Sequence, residues 1–321
     1  MSDPSPSTLA PERSTVALAQ VLRRVATDPP NPVGAEDLDA LLHLLEGAAR
    51  QAVDGLPADA LPLRAPKAAI ADALRCPRFA LARRGLPFGE GQPDAQAKRR
   101  RGIAADLLVS HLLAGGDLAG DPRQLVLGAW TARGEHDELA ALEQADDAER
   151  TRFETDCAEL AEALRADWQG ATGLVIDAAW WPRTQTTATL ALADGDVLVS
   201  VRPDVELGGP AARLPPVIVE VKATALGNEH TFDLNLYALL VSLRDGRTPG
   251  ALLHWSPANG WVELPPVTAD VVESAARRLA DAIGQLGALA RGEPPQERPG
   301  AHCAWCPDAQ VCPTSASTGR S

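Results

Sequence analysis

A carboxylate and an ammonium stand two residues apart at the end of an apolar run, Val217-Ile-Val-Glu220-Val-Lys222. Successive side chains of a strand alternate faces, so Ile218, Glu220 and Lys222 share one face while Val217, Val219 and Val221 point to the other. The valines would anchor the strand, and the two charged groups would emerge together at its end. Upstream, Val199-Ser-Val-Arg-Pro leads to Asp204, expected at the end of the preceding strand. If the two strands pair, Asp204 and Glu220 converge on one hard divalent cation, which takes oxygen ligands. The competing reading is a plain Glu/Lys ion pair. Downstream, His230, Asp233 and Tyr237 recur at three- and four-residue steps on one face of a helix, and Tyr237 is the only tyrosine.

A second constellation is built from thiols. Cys303, Cys306 and Cys312 lie close together near the end of the chain, and Cys76 lies far upstream in Leu-Arg-Cys76-Pro-Arg-Phe. Three clustered cysteines and one distant one suit a tetrahedral thiolate site, which spacing alone allows to hold either zinc or a four-iron cluster. The fifth cysteine, Cys157, reads as a small buried side chain on a helix. His302 reads as a surface residue or one behind the ligands.

These groups need elements to position them. Apolar residues at helical spacing predict helices over 16–25 and 35–53, broken by Pro29-Pro30-Asn-Pro. One helix is expected from Ala65 through Cys76 towards Leu81, and a second from about Ala95 to Leu113, stopped by Gly115-Gly116. Residues 122–168 read as mostly helical. The composition then shifts to short β-branched runs, at 173–181, 186–193, 197–201 and 217–221, read as strands of one sheet. A helix over 228–243, strands at 251–255 and 261–264 and a last helix over 268–290 complete an α/β chain. Residues 1–64 are expected as an N-terminal extension, disordered over 1–12 and then helical. Residues 65–321 form the main domain, with a helical insertion at 115–170 and a cysteine tail at 293–313.

The bulk numbers narrow the class. No apolar run spans a membrane, and Ser2-Asp-Pro-Ser-Pro-Ser does not open a secretory signal. An odd count of five unevenly spaced cysteines argues against a disulfide framework. A cytoplasmic protein is expected. A net charge of −13 excludes a protein that coats nucleic acid with its whole surface, yet permits a local basic track. Arg75, Arg78, Arg83 and Arg84, followed by Lys98, Arg99, Arg100 and Arg101, are candidates for such a track along a phosphate backbone.

Asp204, Glu220-Val-Lys222 and the Asp233-to-Tyr237 helix, framed by Cys76 and the terminal cysteine triplet, resemble the RecB-like branch of the PD-(D/E)XK nucleases. Within it they resemble the iron–sulfur group of the CRISPR adaptation nuclease, the AddB nuclease domain and the mitochondrial exonuclease. The likeness covers roughly residues 67–313. It implies a restriction-endonuclease-like mixed sheet flanked by helices. It also implies a metal-dependent deoxyribonuclease, expected to act as an exonuclease on single strands or ends. Mg2+ or Mn2+ would be held by Asp106, Asp204, Glu220 and Val221, with Lys222, Asp233 and Tyr237 completing the catalytic set. The tail favours a 4Fe-4S cluster on Cys76, Cys303, Cys306 and Cys312 over Zn2+. Two positions depart from the pattern. Asp106 in Gly102-Ile-Ala-Ala-Asp106 replaces the family histidine, and Asp233 replaces a glutamine. The departures sustain a rival expectation, a domain of the same fold that binds nucleic acid or a partner without cutting. Trp180, Trp181 and Trp255 are candidate base-stacking surfaces.

Overall fold

A computed structural model describes residues 17–84, 86, 94–168, 180–209, 214–224 and 229–314, with the side chains of residues 229 and 230 left out. The expected disorder at 1–12, most of the strand at 173–181 and the place of His230 on its helix face lie outside the described residues.

The N-terminal helices are Leu18–Thr27 (α1) and Ala35–Val53 (α2). Each buries one stripe at three- and four-residue spacing, Leu18, Val21, Leu22 and Val25 in the first and Leu38, Leu41, Leu45, Ala49 and Ala52 in the second. The helix expected from Ala65 through Cys76 is not continuous. Leu63–Pro66 is a strand (β1), followed by helices Lys67–Arg75 (α3) and Pro77–Ala82 (α4). Cys76 between them is extended, with φ −166° and ψ 117°. Pro77 explains the break, since its ring disfavours the helical conformation in the residue before it while suiting the first position of the next helix.

Ala95–Leu113 (α5) ends where expected, and Gly115 takes the left-handed φ of 84° just after it. Pro122–Arg133 (α6), His136–Glu143 (α7) and Asp147–Trp168 (α8) form the helical insertion. Strands Pro182–Thr184 (β2), Ala188–Leu192 (β3), Val197–Val201 (β4), Val205–Leu207 (β5) and Val217–Val221 (β6) follow. Helix Glu229–Asp245 (α9) crosses to Ala251–Ser256 (β7), then come Gly260–Glu263 (β8) and Ala269–Ala290 (α10).

The strands form two sheets among the described residues rather than the one expected, in the orders β1-β4-β3 and β2-β5-β6-β7-β8. Arg202-Pro203-Asp204 separates β4 from β5, and proline cannot donate to a ladder, so the chain leaves one sheet there and enters the other. Strand β6 pairs antiparallel with β5 and parallel with β7, and all five of its residues are buried. Its Val217, Val219 and Val221 face a core shared with α1, α5, α6 and α8. Ile218, on the other face, joins a core shared with α2, α9 and α10. Of the N-terminal helices, α1 belongs to one core and α2 to the other. Helices α2 and α10 cross so closely that a Cβ on Gly287 would lie 2.4 Å from the Ala52 carbonyl oxygen. Among the described residues no helix is long and apolar enough to cross a membrane.

Candidate active site and cysteine pocket

Glu220 is the centre of the first constellation. It is only 1% exposed, and its Oε1 accepts from Lys222 Nζ at 2.5 Å and Lys67 Nζ at 3.1 Å. Its Oε2 is buried with no hydrogen-bond partner among the described residues. A buried carboxylate survives ionised only when paired. Burial alone would raise its pKa, but Lys222 and Lys67 outweigh that and pull it down to about 2. The Glu/Lys ion pair is thus present, and it sits inside a larger cluster.

Lys67 is the functional-site residue that sequence reasoning missed. It opens α3 directly after β1, and its ammonium also reaches Asp233 Oδ2 at 3.2 Å and the Tyr237 hydroxyl at 2.6 Å. Three acceptors meet its three protons. Burial by itself would lower its pKa, but the carboxylates of Glu220, Asp233 and Asp204 hold the ammonium charged well above the ordinary lysine range. Burial and the same carboxylates keep the Tyr237 phenol protonated. No spacing rule connects position 67 to positions 220–237; only the tertiary fold, which sets the start of α3 within reach of β6 and α9, brings them together.

Asp204 does not end β4. It lies just ahead of β5, where the register Val205↔Val219 sets it beside the end of β6. Its Oδ2 accepts from the Val221 backbone N–H at 2.7 Å, and its Oδ1 accepts from Gln185 Nε2 at 3.1 Å. Burial, then Glu220 and Asp106, push its carboxyl well above the usual range. Asp106 comes in from α5. Burial and Glu220 raise it to about 6, against the opposing pull of Lys222, Arg202 and Arg133. The fold therefore gathers Asp106, Asp204, Glu220, Lys222, Asp233 and Tyr237 into one place.

Four carboxylates face two lysines there, so negative charge is in excess, and an unpartnered carboxylate oxygen suits a hard cation. Among the described residues no three His, Cys, Asp or Glu side chains are drawn together tightly enough to hold a metal ion as they stand. Lys67 and Lys222 occupy Glu220 Oε1 instead. The donor chemistry fits Mg2+ or Mn2+, with Asp106, Asp204, Glu220 Oε2 and the main chain at Val221 as the available oxygens.

Cys76, Cys303, Cys306 and Cys312 line a single small cavity with Phe79 and His302. The extended break between α3 and α4 delivers Cys76 to the tail, where the Arg298 backbone N–H donates to its Sγ at 3.4 Å across 222 residues of chain. The Gly300 N–H donates to Cys303 Sγ at 3.5 Å. Arg78 ties α4 to the tail through Glu297 at 2.8 Å and Asp308 at 3.4 Å. No disulfide is present among these cysteines. Four soft donors around one cavity, two of them already accepting N–H bonds, fit a thiolate-bound centre. Cys157 lies elsewhere, fully buried on α8, where burial pushes its thiol up to about 12. His302 is not at the surface. It is buried edge-on against Phe79 at 5.2 Å, with Nε2 4.0 Å from Cys303 Sγ.

Much of the expected basic track is tied up in ion pairs. Arg100 is buried and paired with Glu138 and Glu149, Arg99 pairs with Glu138, and Arg101 pairs with Asp156 and Glu159. The acidic helical insertion absorbs these arginines. Arg75 is paired with Asp72 and Arg78 belongs to the cysteine pocket, while Arg84 and Lys98 are exposed, as are Arg75 and Arg99 despite their ion pairs. The exposed cations near the carboxylates are instead Arg133 and Arg202. Of the three tryptophans, Trp255 is fully buried with Nε1 donating to Asp167 at 2.9 Å, Trp180 is buried, and Trp181 is exposed.

No family model matches this chain, and no curated protein matches it. Among solved structures, the crystal structure of SSO0001 is similar to it at 14% identity and a TM-score of 0.34, over 85% of this chain and 95% of that one. A likeness that slight carries no argument about function. What is established is an α/β protein with mixed sheets.

Proposed function

We propose that this chain is a divalent-metal-dependent deoxyribonuclease of the RecB-like PD-(D/E)XK type, clasped by an iron–sulfur cluster. The observation that carries the proposal is Glu220, an ionised carboxylate buried beside Asp204 and Asp106, with two lysines on one oxygen and, among the described residues, no well-formed hydrogen bond to the other. Such an arrangement is costly to fold and makes chemical sense as a cation site beside a water-orienting ammonium. When bound, Mg2+ or Mn2+ supplies charge relief at the phosphate and acidifies water. Asp106, Asp204 and Glu220 hold negative charge in place for that cation. Lys222, whose ammonium is not saturated by Glu220, is placed to stabilise charge on a phosphate oxygen. Lys67, saturated by Glu220, Asp233 and Tyr237, fixes their positions and has no proton left for substrate. The cysteine pocket supports a 4Fe-4S cluster, or zinc, joining α4 to the tail as a clasp that restricts the unfolded chain.

The test is digestion of end-labelled single-stranded DNA with Mn2+ or Mg2+ by the anaerobically purified protein. Cleavage that is lost in Glu220→Gln and in EDTA is expected. One observation favours the rival, a nucleic-acid-binding domain that does not cut: Lys67 and Lys222 already neutralise Glu220 without a metal. Binding without cleavage under any divalent metal would establish that reading instead.

A further inference from the structure

The face of α5 that carries Asp106 does not end at the carboxylates. Asp106, Ser110, Leu113 and Ala114 fall at i, i+4, i+7 and i+8, so they share one side of the helix. Ser110, Leu113 and Ala114 form one wall of a groove of about 390 Å3, and Trp181, Pro182 and Thr184 form the other. The second wall also runs into the carboxylate site. Thr184 pairs with Val205, and the next residue, Gln185, holds Asp204 through a backbone bond of 3.0 Å to its carbonyl oxygen and a side-chain bond of 3.1 Å. Each wall of the groove thus adjoins a residue of the carboxylate site along the chain, Ser110 one helical turn from Asp106 and Thr184 next to the Gln185 that holds Asp204.

Trp181 is 69% exposed, an indole presented to solvent rather than packed. Its backbone is nonetheless held. Trp180 beside it is buried, and the β2 ladder begins at the next residue, where Pro182 pairs with Leu207. A fixed, exposed aromatic in a groove of uncharged side chains is a platform for a flat ring, since every nucleobase offers a π-face and stacking asks no hydrogen-bond code. The charges nearby suit a polyanion. Arg202 lies two residues before Asp204, Arg133 ends α6, and both are exposed with no ion pair among the described residues. On a chain of net charge −13 these are local exceptions.

We propose that this groove is a nucleobase subsite, in which Trp181 stacks a base of a single-stranded nucleic acid whose backbone passes Arg202 and Arg133 on its way to the carboxylates. The proposal rests on the nuclease reading for the direction of the strand, but not for the binding itself.

The experiment reads binding in EDTA, where no cleavage can occur, by fluorescence anisotropy with two labelled probes: an oligo(dT) strand and a strand of the same length whose sugars are abasic. Trp181→Ala should weaken oligo(dT) about tenfold or more while Trp181→Phe stays near the parent, in line with the cost of losing one stacked base. The abasic strand should not distinguish Trp181→Ala from the parent. Arg202→Ala should weaken both strands alike and make the salt dependence shallower by about one counterion. Because Trp181 is exposed, an unchanged melting temperature in Trp181→Ala checks that the fold is intact. Equal affinity of Trp181→Ala and parent for oligo(dT), or an equal loss on the abasic strand, overturns the subsite. So does failure of the parent to bind either strand, which would leave the groove to a protein partner. Absence of cleavage with metal present, alongside Trp181-dependent binding, sinks the nuclease reading alone.

Discussion

Replacing Asp106 by asparagine should stabilise the protein in buffer freed of divalent cations, and by an amount the site geometry sets. Burial and the neighbouring Glu220 raise the Asp106 carboxyl from 3.8 to about 6. The folded state thus holds this proton more tightly than the unfolded chain, so the group lowers stability as pH rises through the window between those values. Below 3.8 the group costs nothing; above 6 the cost is complete. The separation of the two values makes the full cost about 3 kcal/mol, of which roughly half is present at pH 5. Asparagine has the same shape and no charge. Urea unfolding of parent and Asp106→Asn should give a gain of about 3 kcal/mol at pH 7.5, shrinking by about half at pH 5. Adding Mn2+ should reverse the order, because a cation that binds only the folded state stabilises the parent more. A neutral or destabilising Asp106→Asn at pH 7.5, or a gain that does not change with pH, would refute the picture of Asp106 as a half-buried charge awaiting a cation.

Glu220→Gln should abolish metal-dependent cleavage and cost about 3 kcal/mol, because Lys67 and Lys222 would lose the buried carboxylate they share and keep only Asp233 as a direct ion-pair partner. Since the Glu220 carboxyl is drawn from 4.5 down to about 2, its contribution is present above pH 4.5 and is lost as pH falls towards 2. Acid unfolding of the parent should therefore be steeper over that range than that of Glu220→Gln. Lys67→Met should be less stable than the parent without divalent cations and should gain more from added Mn2+, measured by melting temperature; an equal gain would show that Lys67 does not oppose the cation. Cys306→Ser should lose the broad visible absorption of an iron–sulfur centre and melt lower, whereas Cys157→Ala should keep the absorption. One equivalent of zinc without iron in anaerobic protein would make the clasp a zinc site.

Local features of this chain were legible because short-range physics decides them. The apolar stripe of Ala35–Val53 and the alternation in Val217–Val221 define their elements by periodicity alone, and the structure sets both where the pattern demands. Alternation also gave the shared face of Glu220 and Lys222, and the burial of Cys157 followed from its place on a helix. Tertiary packing decided what lies far apart along the chain. The switch of sheets at Arg202-Pro203 moved Asp204 from the end of one strand to the start of another. The folding of an acidic helical insertion against α5 turned Arg100 and Arg101 inward, although a run of four cations reads as a solvated face. Lys67 entered the site because α3 begins beside β6 and α9, a juxtaposition with no trace in spacing. A strand or helix repeats its side chains with a fixed period, so the sequence by itself determines which face a residue takes. Which faces meet depends on how two cores close, and that the periodicity does not contain.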